Sequence, residues 1–144
     1  MADILHQVGI QASQDTLYSA LTEQAGLQSW WSEHSVIEPS AGSMARISFY
    51  NNAVVFEFRV EELVPGESVV WKIVGGPPDW VDTTITWNLS PEEGQTILDF
   101  AHRGFASTEG NFASVNYNWG WYITSLKFLL EKGKGMPHTD ADLI

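Results

Sequence analysis

The sequence contains no cysteine, which excludes a disulfide framework, a thiolate metal site and a cysteine nucleophile. Basic residues are scarce: seven Lys and Arg stand against 18 Asp and Glu, a formal net charge of −11. Nucleic acid and anionic membrane surfaces need clustered cations to displace counterions, so neither is expected as a partner. No apolar run approaches the roughly 18 residues of a membrane span, and no charged-then-apolar leader opens the chain. The expectations are therefore a cytoplasmic protein and no membrane insertion. The four histidines, His6, His34, His102 and His138, show neither HxxxH nor HxH spacing, so no metal and no cofactor is expected. The GxSxG elbow and the GxGxxG phosphate loop are also missing.

What is present is core material. The chain has 144 residues, 44% of them apolar, with seven Trp, seven Phe and four Tyr, enough for one domain with a real core. ILHQVGI (4–10) reads as a first strand. Ser13 can cap a helix carrying Leu17, Tyr18 and Leu21, and Thr22 can cap a second with Leu27, Trp30 and Trp31, which Gly26 weakens. Alternating segments follow at 44–50, 54–64, 68–74, 83–89 and 96–105, separated by Asn51-Asn52, Pro65-Gly66, Gly75-Gly76-Pro77-Pro78 and the turn at 91–94. Phe112, Val115, Trp119, Tyr122, Leu126 and Leu129 then form the stripe of a long amphipathic helix. Asn111 or Ser107 can cap its start and Gly133 or Gly135 its end, and Pro137 forbids continuation. The expected fold class is α+β: a curved antiparallel meander sheet around a long C-terminal helix. One domain is expected over residues 1–135, with 136–144 a loose tail.

Three segments carry a resemblance. The Trp-Trp pair closing Leu27 to Trp31, the alternation Thr96, Leu98, Phe100, His102, Gly104, Phe105, and the helix at 120–133 stand in order along the chain. In this order the sequence resembles the START-like, helix-grip superfamily, in its branch related to the activator of the ninety-kilodalton heat-shock protein's ATPase. The resemblance implies a sheet gripping the last helix, usually with a cavity between them. It admits three functions: binding of a small hydrophobic ligand, a cyclase or dehydratase enzyme, and a chaperone or other protein-interaction module. Homodimerisation is also admitted.

Strand parity sorts the candidate residues. His102 shares a face with Leu98 and Phe100, so it is expected inside, either as a hydrogen-bonded core histidine or as a group that orients a ligand or acts as an acid/base. Trp71 and Trp87 lie on the apolar faces of their strands, and Trp119 and Tyr122 on the helix stripe. These residues with Phe100 are expected either to fill the core or to line a pocket for an apolar or aromatic molecule. Trp31 is expected beside the cavity mouth, and Trp80, after two prolines, either folds over the core or forms a lid. Glu57, Arg59 and Glu61 fall on the opposite, outer face, as do Asp99 and Arg103; ion pairing at the surface accounts for them. No residue is assigned a catalytic role.

Overall fold

The opening alternation produces a longer strand than its apolar residues mark out. In the computed structural model, which describes residues 1–139, β1 runs Ala2–Ile10 with Ile4 and Ile10 buried. Ser13 then starts α1 (Gln14–Thr22), its Oγ accepting the Thr16 N–H at 3.1 Å and so satisfying a donor of the first turn. α2 (Gln24–Trp30) follows without a side-chain cap. Thr22 does not cap it, because its hydroxyl donates back to the Tyr18 carbonyl. Gly26, expected to weaken α2, instead allows the two helices to touch. A Cβ there would stand 2.6 Å from the Ala20 carbonyl oxygen, a backbone atom with little room to yield.

The strands form one antiparallel sheet in the order β1-β7-β6-β5-β4-β3-β2. Its members are β2 (His34–Val36), β3 (Met44–Phe49), β4 (Val54–Val64), β5 (Ser68–Gly75), β6 (Thr84–Glu92) and β7 (Gln95–Phe105). The three-residue β2 is too short to leave an alternation in the sequence. The inner-face residues expected by parity on β4, β5 and β7 (Phe56, Phe58 and Val60, Val69, Trp71 and Ile73, and Leu98, Phe100 and His102) are all buried. Arg59–Glu61 and Arg103–Asp3 pair on the outer face. The β3–β4 turn passes through Tyr50, Asn51 and Asn52 with φ of 52°, 53° and 69°. Three successive non-glycine residues in the left-handed region make it a strained turn.

α3 (Phe112–Lys132) crosses the inner face of this sheet, burying Val115, Trp119, Ile123 and Leu126. Gly133, with φ of 85°, closes it in the left-handed conformation. Gly135 serves otherwise, packing against the Ser29 carbonyl where no Cβ fits. The fold is thus an α+β helix grip. Residues 136–138, expected as loose tail, dock instead. The Met136 N–H donates to Ser125 Oγ, the His138 N–H to the Trp31 carbonyl and the Glu33 N–H to the His138 carbonyl. His138 is 4% exposed. The sequence does not show this because the partners lie on α3, after α2 and on the β3–β4 turn. The rest of the expected tail, 140–144, lies outside the described residues. Among the described residues no helix is long and apolar enough to cross a membrane.

Candidate functional site

The centre of the grip is solid. Trp30 stacks on Trp31 (ring centroids 5.6 Å apart) and Trp31 on Trp71 (5.8 Å). Trp87 meets both Trp30 and Trp71 edge-on, and Phe58 stacks on Trp71 at 4.4 Å. Such offset and edge-to-face contacts are the arrangements aromatic quadrupoles favour. Trp30 Nε1–H is satisfied by the Ala20 carbonyl at 2.8 Å, whereas the buried indole N–H groups of Trp71 and Trp87 have no partner among the described residues.

Space remains to one side of this cluster. A cavity of about 290 Å³ opens between the first half of α3, the β3–β4 hairpin and the loop before β6. Its apolar wall includes the rings of Trp31, Phe49, Tyr50, Phe56, Trp80, Trp119 and Tyr122 together with Val115; Asp79, Asn111, Ser114 and Asn118 also line it. Local sequence explains each contribution. Phe49 ends β3 and Phe56 begins β4, so the strained turn between them holds both against the opening. Pro77 and Pro78 end β5's run, and the Trp80 N–H then bonds back to the Pro77 carbonyl at 2.9 Å. That turn aims Trp80 inward, 7% exposed and stacked on Phe56 at 4.0 Å. Asn111 precedes α3 but makes no side-chain capping bond, leaving its amide on the cavity lip.

His102 lies behind this wall. The indole N–H of Trp119 can only donate, so His102 Nδ1, 3.0 Å away, accepts. The ring proton therefore sits on Nε2 and is donated to Thr83 Oγ1 at 2.8 Å. Thr83 passes its own hydroxyl proton to the Trp80 carbonyl. This chain ties α3, β7 and the Trp80 loop together and fixes two walls of the cavity. Burial pushes the His102 imidazolium down to about 3, since desolvation disfavours the charged ring. His102 is thus neutral and fully used by two uncharged partners.

Of the eight residues expected around a ligand, Trp31, Trp80, Trp119 and Tyr122 line the cavity. Trp71, Trp87, Phe100 and His102 do not. They occupy the middle strands of the sheet, where Trp30, Trp31 and Trp119 cover them. The open space lies instead toward β3 and β4. Phe49, Phe56 and the polar lip escaped the sequence reading. Phe56 was visible by parity with Phe58, but nothing local marks which end of the inner face stays open. Among the described residues no group of three or more His, Asp or Glu could hold a metal ion.

Comparison with known proteins agrees with this fold. The family described as Activator of Hsp90 ATPase homolog 1-like protein matches residues 11–131. The solution structure of the Aha1 dimer from Colwellia psychrerythraea is 35% identical, with a TM-score of 0.86 over 94% of this chain and 100% of that one. Protein MLL2253 from Mesorhizobium loti is 18% identical, with a TM-score of 0.81 over 91% of this chain and 98% of that one. DynU16, from the dynemicin biosynthetic locus, is 20% identical, with a TM-score of 0.79 over 96% of this chain and 50% of that one. The last two show a shared fold alone. No curated protein matches the sequence.

Proposed function

The chain belongs to the family of Activator of Hsp90 ATPase homolog 1-like proteins, and from that premise we propose that it binds a small hydrophobic or aromatic molecule in the cavity beside Trp80. The observation that carries this reading is a space of about 290 Å³ walled by seven aromatic side chains. A cavity of roughly 150 Å³ holds benzene, so this one fits a ligand of one or two fused rings. A ligand burying about 200 Å² of apolar surface gains roughly 5 kcal/mol before the costs of immobilisation, a ceiling equivalent to a Kd of about 0.2 mM, which points to affinities in roughly the submillimolar to millimolar range.

This reading assigns no acid/base role to His102, which is enclosed behind Trp80 and Trp119. The titratable groups at the cavity are Asp79, Tyr50 and Tyr122, so a cyclase-like reaction would have to run on these. Binding without chemistry needs only the walls.

The test is a panel of neutral one- and two-ring compounds, such as indole and 2-naphthol, titrated against tryptophan fluorescence and melting temperature. At a hundredfold excess over Kd, binding stabilises by about 2.7 kcal/mol and raises Tm by about 6–10 °C. Val115→Phe grows a ring into the cavity and should remove that shift while leaving the unliganded Tm close to wild type. Equal shifts in wild type and variant, or none in either, would refute the proposal.

A further inference from the structure

The charge and geometry of the cavity point to a class of ligand. We infer that it takes a cationic amine, a protonated or quaternary ammonium on an aromatic or aliphatic body, in preference to a neutral or anionic molecule of the same shape. This rests on the cavity reading above and specifies its ligand.

Two observations carry it. The first is a continuous circuit of rings. Trp31 meets Phe49 (centroids 6.4 Å apart), Phe49 meets Phe56 (5.8 Å), and Phe56 meets Trp80 (4.0 Å). Trp80 meets Trp119 (6.1 Å), and Trp119 returns to Trp31 (5.2 Å). Aromatic faces attract a cation through their quadrupoles, tryptophan most strongly, and several rings around one space act together. The second is the charge of the lining. Among the described residues Asp79 is its one formally charged member, and Asn111 and Asn118 add amide oxygens that accept hydrogen bonds from an ammonium.

Among the described residues no cation lines the cavity, and most of the basic residues are held elsewhere. Arg59 pairs with Glu61, Arg103 with Asp3 and Lys127 with Glu131. Lys72 donates to the Asp82 carbonyl, and Lys132 sits over Phe128. A carboxylate ligand would find no counter-ion here. The start of α3 is the one competing feature, since a helix N-terminus carries about half a positive charge that favours anions. The full charge of Asp79, which lines the same cavity, exceeds it.

The experiment compares three matched probes by calorimetry at 50 mM salt: phenethyltrimethylammonium, its carbon isostere (3,3-dimethylbutyl)benzene, and 3-phenylpropionate. The ammonium should bind at least fivefold tighter than the isostere and at least twentyfold tighter than the carboxylate. Asp79→Asn, an exposed change, should weaken the ammonium about threefold and leave the isostere within twofold. Val115→Phe should remove ammonium binding, which separates the cavity from general attraction to an acidic surface. An isostere or carboxylate that binds as tightly as the ammonium overturns this inference and leaves the cavity reading standing. Ammonium binding untouched by Val115→Phe overturns it too. Failure of all three probes removes both.

Discussion

At the scale of single residues, His102 shows how a functional-looking group becomes structural. Its tautomer is dictated by Trp119, which can only donate, and its charge by burial, which holds the ring's pKa down at about 3. In the unfolded chain the same ring titrates near 6.5. Between those two values the unfolded state carries a proton that the folded state refuses, so stability is full above about pH 6.5. It falls as pH drops and levels off near 3. At pH 5 the loss from this residue is about 2 kcal/mol. Urea unfolding at pH 7 and pH 5 should show wild type losing about 2 kcal/mol more than His102→Gln, which has nothing to titrate. Equal losses would mean that His102 is not the buried neutral group described. Parity placed His102 on the inner face from sequence alone. Its partners were not legible, because Thr83 arrives from a loop and Trp119 from a helix 17 residues further along.

At the scale of elements, long periodic segments were readable and their junctions were not. The stripe of α3 and the alternation of β4 and β7 follow from the need of each to bury one face. The C-terminal strap has no such periodicity. It is held by single hydrogen bonds, and one of them reaches the cavity. The N–H of Tyr50, which begins the left-handed β3–β4 turn, donates to His138 Nε2 at 3.1 Å, and the two rings meet at 4.6 Å. His138 therefore braces the turn that positions Phe49 and Phe56. His138→Ala should leave the Tyr50 amide without its acceptor at a local cost of about 1–2 kcal/mol. Hydrogen exchange at Tyr50 should then accelerate roughly 5–30-fold, while amides in the β6–β7 ladder keep their rates. Unchanged exchange at Tyr50 would show that the turn holds itself. The same logic explains why half of the cavity's lining was misplaced at the sequence level. Its position depends on where this strap, the strained turn and the Trp80 loop converge, and none of these carries a repeating pattern.

At the scale of the whole molecule, net charge sets a condition on everything above. The protein carries a formal charge of −11, and self-repulsion of that size works against the compact state. Salt screens it: the Debye length falls from about 30 Å at 0.01 M to about 10 Å at 0.1 M. Salt also weakens attractive pairs, so the sign of its effect depends on which dominates. Arg59–Glu61 and Arg103–Asp3 are exposed, with side chains 38–56% accessible, and such pairs contribute at most about 1 kcal/mol each. The excess of acid over base is larger and spread over the entire surface. Melting temperature should therefore rise as sodium chloride increases from 10 to 300 mM, and most of the rise should come below 100 mM. A falling Tm would mean that local ion pairs outweigh the net charge. The same screening reaches function, because an acidic surface steers cations toward the cavity. The association rate of phenethyltrimethylammonium should decrease across the range in which stability increases, whereas that of its uncharged isostere should stay constant.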